Sequence, residues 1–179
     1  MTEQSDEEFV RRCRSGDRKA YDALVERYQR TIYNVALRMV RDRDDAADVT
    51  QSAFVKAYEG LERFDDRFKF FSWLYRIAVN ESLNLLHQRK RFDGLEGVDR
   101  AETPDEGLDD ETMERESGVQ SALMMLKTDQ RAIIVLKHMQ GLSYEEIGQI
   151  LDLPVKKVKS RLFSARHALR ENLRKKGVE

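Results

Sequence analysis

Near the C-terminal end of the chain, cations gather on one side of a periodic segment. Val158, Leu162, Ala165 and Leu169 recur at three- and four-residue steps, while Lys156, Lys157, Lys159, Ser160 and Arg161 fall on the other side. Ammonium and guanidinium groups at this density bind phosphates, and side chains of these types also hydrogen-bond base edges in a duplex groove. A helix must present them, and the residues upstream supply its support. Ser143 and Glu146 have the spacing of a capping box, so a helix starts there. Ile147, Ile150 and Leu151 share its inner face. Pro154 disfavours helical geometry in the residue before it, which ends that helix near Asp152. Residues 141–172 thus read as a helix-turn-helix whose second helix, from about Val155, fits a major groove. Gly148 lies where the two helices should cross. A mid-helix glycine costs about 1 kcal/mol against alanine, and close packing is a physical reason to keep it. The same pattern also suits a helical hairpin whose lysines form only a solvated face.

A second cluster occupies residues 61–91. Phe64, Phe68, Phe70 and Phe71 alternate with Arg63, Arg67 and Lys69, without helical periodicity. Rings beside cations suit single-stranded nucleic acid, because bases stack on the rings while the cations follow the phosphates, at roughly 1–3 kcal/mol per stacked base. From about Ser72 a helix turns Leu74, Ile77, Ala78 and Leu85 inward and ends in Arg89, Lys90 and Arg91. Taken alone, any one of these rings, Trp73 included, is better explained as core.

These clusters need scaffolds, and the rest of the chain reads as helices that supply them. A short helix over 6–14 buries Phe9, Val10 and Cys13 before a break at Ser15-Gly16. Asp17 caps a long core helix, with Tyr21, Leu24, Val25, Tyr28, Ile32, Val35, Ala36 and Met39 in period to about Val40. Arg41 to Asp44 form a corner. A third helix carries Ala46, Val49, Phe54, Ala57 and Tyr58 inward and Asp45, Asp48 and Gln51 outward, and Gly60 ends it. Beyond residue 116, one helix holds Val119, Leu123 and Leu126, and another, from Thr128, holds Ile133, Ile134 and Leu136 until Gly141 closes it. Residues 93–116 are acidic, nearly free of large apolar groups, and hold three of the nine glycines. Such a stretch cannot bury enough surface to offset its ordering entropy, so a flexible linker is expected there. The expectation is an all-α chain of two small helical domains, 1–92 and 117–179, joined by an acidic linker over 93–116.

Net charge is −1, yet its distribution is uneven. Residues 1–92 hold 18 basic and 16 acidic side chains, 93–116 hold 2 and 11, and 117–179 hold 12 and 6. The acidic middle masks a basic C-terminal third, and binding responds to the local field rather than to the total. Cys13 is the single cysteine. No internal disulfide can form, and a reducing cytoplasm is the expected setting. No apolar run approaches the roughly 20 residues that span a bilayer, so no direct membrane insertion is expected. Neither metal-ligand spacing nor a catalytic constellation is visible, and neither a metal, a cofactor nor an enzymatic activity is expected.

Taken together, the segments resemble the extracytoplasmic-function sigma factors of bacterial RNA polymerase. The resemblance rests on EEFVRRCRSGDRKAYDALVERY, DAADVTQSAFVKAYEGLERF, FSWLYRIAVN and SYEEIGQILDLPVKKVKSRLFSAR, in that order. It implies that the first domain is sigma region 2, a helical bundle, and the second is region 4, a helix-turn-helix. Region 2 would hold the β′ clamp helices of core polymerase through Asp48, Gln51, Ser52 and Phe54. It would take the melted −10 element through Phe64, Phe68, Phe71, Trp73, Arg76, Asn80, Asn84, Arg89 and Arg91, with a pocket for a flipped base beside Phe64 to Phe71. Region 4 would lie near the β flap and read the duplex −35 element through Lys156, Lys157, Lys159, Ser160, Arg161, Phe163, Ser164 and Arg166. An anti-sigma factor is implied as a regulator. Many members carry Gly-Thr where this chain has Lys156-Lys157, which adds phosphate-seeking charge and removes an expected helix cap. Ser52 stands where an acidic residue is frequent, and Ser164 where a basic one is.

Overall fold

The computed structural model describes residues 5–92 and 110–177, with side chains placed for all of these but 90–92 and 110–116. Helix α1 spans Asp6–Arg14, α2 Arg18–Val40 and α3 Arg43–Gly60. A single 3-10 turn, Leu61–Arg63, leads through an irregular loop into α4, Phe70–Phe92. Helix α5 covers Asp110–Met124, and α6, Thr128–Ile134, runs into a π-helical turn over Val135–Met139. Helices α7, Tyr144–Leu151, and α8, Val155–Lys175, complete the chain. The described residues contain no strand.

Local chemistry accounts for most boundaries. Ser5, Asp17 and Asp42 accept from backbone N–H groups in the first turns of α1, α2 and α3, satisfying donors that a helix start leaves unpaired. Ser143 and Glu146 form the expected capping box: Ser143 Oγ accepts from the Glu146 N–H at 3.1 Å, and Glu146 Oε2 from the Ser143 N–H at 2.9 Å. Gly141 ends the π turn at φ +65°, where Leu142 N–H reaches back to the Leu136 carbonyl. Gly148 is required at the α7–α8 corner. A Cβ there would lie 2.7 Å from the Leu153 carbonyl oxygen, so the corner folds directly over it.

In the first bundle α2 packs against α1, α3 and α4, with Leu24, Ile32 and Met39 fully buried beside Leu74 of α4. In the second, α8 packs against α5, α6 and α7 around Ile133, Ile134, Leu136, Ile147, Ile150 and Leu162. The two bundles also touch. Helix α4 packs on α7, the end of α2 meets the π turn, α5 and α6, and a single hydrophobic core runs through both.

Several expectations shift. Helix α4 starts at Phe70 rather than Ser72, because Phe70 is buried against Tyr28 and Trp73. Helix α5 starts at Asp110, so the last residues of the expected linker are helical; acidic residues 110 and 111 suit the positive end of a helix dipole. The rest of that linker, 93–109, lies outside the described residues. Asp45 was expected in solvent but pairs with Arg89 across α3 and α4, and Tyr58 was expected inward but is 48% exposed. The cap of α8 is the Pro154 backbone, without a side-chain bond. Position 157 is therefore inside the first turn, and a threonine there would not cap the helix.

Candidate nucleic-acid interface

Burial of Val158, Leu162 and Ala165 fixes the roll of α8 and turns its other side to solvent. Lys156, Lys157, Lys159, Ser160, Arg161, Phe163, Ser164 and Arg166 are all exposed, and Phe163 most of all at 76%. An aromatic ring that open, surrounded by cations, gains nothing from the core and offers a contact for a thymine methyl or a sugar. The two serines turn inward to the backbone: Ser160 Oγ donates to the Lys157 carbonyl at 3.1 Å and Ser164 Oγ to Ser160 at 3.3 Å.

Neighbouring elements hold two of the cations in place. Lys159 Nζ lies 5.5 Å from the centre of the Tyr144 ring, and Lys137 Nζ lies 4.8 Å from the same ring. Arg166 Nε donates to His138 Nε2 at 3.0 Å. Partial burial, then the charges of Arg166 and Lys137, hold the His138 pKa below its ordinary value, which keeps the ring neutral and able to accept. Arg161 is more loosely held, 3.9 Å from Asp129. Tyr144, Lys137 and His138 carried no periodic signal in the sequence, because the π turn shifts the register that places two of them.

The aromatic stretch divides into core and surface. Phe64 and Phe70 are buried, and with half-buried Trp73 they form a cluster with centroids 4.9–6.0 Å apart. Phe64 is thus packed into the bundle, while Trp73 stays partly open beside it. Phe68 is 46% exposed, and Phe71 is half-buried with Lys69 Nζ 5.3 Å from its ring centre. Arg14, a residue absent from the expected site, braces this loop from α1. Its guanidinium donates to the carbonyls of Leu61 and Phe64 and pairs with Asp66 at 2.8 Å. Arg67 folds onto Asp65 and holds that carboxyl down to about 2.

On α4, Arg76, Asn80 and Asn84 are exposed at successive four-residue steps and make one polar stripe. Arg89, expected on phosphates, is instead committed to Asp45. The Arg91 side chain lies outside the described residues.

A separate apolar groove of about 900 Å³ runs between α2 and α3, lined by Tyr21, Val25, Tyr33, Gln51, Phe54, Val55 and Tyr58 among others. Val55 and Tyr58 are about half exposed. Gln51 and Phe54 belong to this groove, and Asp48 is exposed one turn before Gln51. Ser52 points elsewhere: its Oγ donates to Glu81 of α4 at 2.8 Å, so it does not share a face with Gln51. Cys13 is partly buried, and that burial, followed by the charge of Asp17, pushes its thiol pKa up and disfavours the reactive thiolate.

The family models for sigma-70 region 2 and sigma-70 region 4 match residues 24–92 and 118–169. The chain belongs to the extracytoplasmic-function sigma factors. The RNA polymerase sigma-H factor of Pseudomonas aeruginosa is 36% identical over 94% of each chain. The ECF RNA polymerase sigma-E factor of Escherichia coli K12 is 38% identical over 94% of this chain and 95% of its own. Among solved structures, the sigma factor RpoE of Bartonella quintana, in complex with the anti-sigma factor NepR, matches with a TM-score of 0.73 at 26% identity, over 87% of this chain and 98% of that one. CnrH in complex with the cytosolic domain of CnrY matches with a TM-score of 0.74 at 28% identity, over 95% and 97%. As a sigma factor the chain serves transcription initiation. The region 2 match runs from within α2 through α4, the region 4 match from within α5 into α8, and no helix among the described residues is long and apolar enough to cross a membrane.

Proposed function

We propose that this sigma factor divides promoter reading between the two exposed surfaces. The face of α8 sits in the major groove of the −35 element, with Lys156, Lys157 and Arg161 on phosphates and Lys159, Ser160, Phe163 and Arg166 toward the bases. The stripe Arg76, Asn80 and Asn84, with Phe68 and Phe71 at its head, takes the melted −10 strand. Asparagine amides offer paired donors and acceptors to base edges, and the extruded base recovers its unstacking cost of a few kcal/mol in those contacts. The observation that carries this reading is the presence, on one chain, of a cationic recognition face with Phe163 open beside it and a polar stripe on α4, with exposed Phe68 in the loop before that helix.

The groove between α2 and α3 is the surface for core polymerase. Its apolar floor and its rim, with Asp48 and Gln51, suit the β′ clamp helices, while region 4 lies near the β flap. The similarity to RpoE, solved with the anti-sigma factor NepR, supports control by an anti-sigma factor that hides these faces. Reconstituted transcription tests the reading. Purified chain added to core polymerase is expected to start transcripts at specific promoters, with Asn80→Ala and Asn84→Ala impairing −10 opening more than −35 binding. Failure to bind core at low salt overturns it.

A further inference from the structure

Of the cations on the reading face of α8, the two turned toward the bases are the two that the protein holds most closely. Lys159 Nζ lies 5.5 Å from the centre of the Tyr144 ring, and Arg166 Nε donates to His138 Nε2 at 3.0 Å. Both supports come from one short stretch, the π turn and the first residue of α7. The cations assigned to phosphates are looser. Arg161 stands 3.9 Å from Asp129, and among the described residues no ring or side-chain hydrogen bond holds the Lys156 or Lys157 ammonium. A phosphate tolerates a loose point charge, whereas a base edge demands a fixed direction. Freezing one long side chain on binding costs roughly twofold to tenfold in affinity, and a side chain already in place avoids that loss.

The His138 contact also selects how Arg166 can read. A guanidinium grips a pair of acceptors side-on, through Nε and one Nη, or end-on, through both Nη groups. His138 occupies Nε, so the side-on grip is already taken. Arg166 is exposed, and among the described residues neither of its Nη groups has a hydrogen-bond partner. The end-on pair is what remains for DNA. Two neighbouring acceptors on one base edge match it, as guanine presents at O6 and N7 in the major groove. To accept from Arg166, His138 must be neutral with its proton on Nδ1, so its part in the contact is steric and directional rather than ionic.

We propose that His138 is a positioning residue for −35 recognition, holding Arg166 for an end-on grip on one guanine. It acts through Arg166 rather than through a DNA contact of its own. The inference rests on the assignment of the α8 face to the −35 duplex, with Arg166 toward the bases.

The test uses the full chain and labelled duplexes. The unaltered chain selects its strongest site from a randomised duplex pool, and fluorescence anisotropy compares that site with each of its single-base-pair variants. Arg166→Ala identifies the pair at which preference depends on Arg166, expected to be a G·C pair. His138→Ala is expected to lower discrimination at that same pair about threefold to tenfold. Preference at the other pairs and the salt slope are expected to stay as they were, because no charge is lost. His138→Gln restores an acceptor and is expected to recover most of the discrimination. In an Arg166→Ala chain, His138→Ala is expected to add nothing. Uniform weakening of every duplex by His138→Ala, or no change at the Arg166-dependent pair, overturns the inference. So does a loss that glutamine fails to rescue, or one that persists in the Arg166→Ala chain. If Arg166→Ala itself weakens every duplex alike, or the unaltered chain selects no site, it is the assignment of α8 that fails, and the inference falls with it.

Discussion

The guanidinium of Arg131, on α6 of region 4, donates to the main-chain carbonyl of Met39, in the last turn of α2 in region 2. Its other N–H groups reach the carbonyls of Leu123, Met124 and Leu126 at the end of α5. Carbonyls in a helix's last turn have no partner within the helix and sit at the negative end of its dipole, so one buried cation serves two helix ends at once. Arg131 is only 4% exposed, and this burial pulls its pKa down to about 10, which leaves it charged at neutral pH. Hydrogen bonds to carbonyl dipoles, rather than an opposing carboxylate, hold the charge in the core.

Arg131→Met should therefore destabilise the chain well beyond a lost surface contact. The substitution removes the side-chain donor from the Met39, Met124 and Leu126 carbonyls, while the Leu123 carbonyl keeps the Leu126 N–H, and leaving buried acceptors unsatisfied costs about 1–3 kcal/mol each. Urea unfolding followed by circular dichroism measures it. A loss under about 1 kcal/mol would mean that water replaces the guanidinium and that Arg131 does not tie the helix ends together.

Gly148→Ala should also destabilise, although alanine is normally the better helix residue. The added methyl would sit 2.7 Å from the Leu153 carbonyl oxygen, a backbone atom that can move only if the α7–α8 corner moves. Overpacking of this kind costs about 1–3 kcal/mol, against a propensity gain of about 1 kcal/mol. A net loss of stability, with a larger loss of −35 binding because α8 is re-aimed, is the expected pair of results. A stabilised variant would show that the corner is slack.

The sequence carried much of this. Ser143, Glu146, Gly148 and Pro154 each have a local reason to sit where they do, and local reasons are legible without neighbours. Apolar periodicity likewise gave α2 to within a residue or so, and the start of α8, whose end runs three residues past the expected 172. What could not be read was side-chain commitment across elements. Arg89 and Asp45 look like free charges until α3 and α4 are laid together, and Phe64 looks like a stacking platform until Phe70 and Trp73 close over it. Arg131 gave no sign either, because a cation on an apolar helix reads as surface until the carbonyls around it are known. The same limit hid the packing of α4 on α7.

Stability should fall on mild acidification through His138. Its pKa in the folded chain lies below the ordinary 6.5, so as pH drops the unfolded chain takes up the proton first. The contribution is present above about pH 6.5 and is lost as pH falls through the folded value. His138→Gln keeps an acceptor for Arg166 but cannot titrate. Comparing urea midpoints at about pH 7.5 and about pH 5.5 should show a smaller drop for the variant than for the unaltered chain. Equal drops would assign the acid sensitivity to other groups.

Lys156 and Lys157 should act on phosphates rather than on bases. Both lie in the first turn of α8, both are exposed, and neither is held by a neighbouring ring in the way that Tyr144 holds Lys159. A cation in a helix's first turn opposes the dipole, so these two weaken the helix slightly and must gain their advantage from an anionic partner. Each phosphate neutralised adds about 0.9 to the salt slope of duplex binding. Replacing both with alanine should reduce the slope of log K against log salt by about 1.8 and weaken all −35 sequences alike. Binding of single-base variants of the −35 element at several salt concentrations separates the possibilities. An unchanged slope with altered preference at one base pair would make the lysines readers of sequence, and the departure from Gly-Thr at these positions would then define a different promoter set.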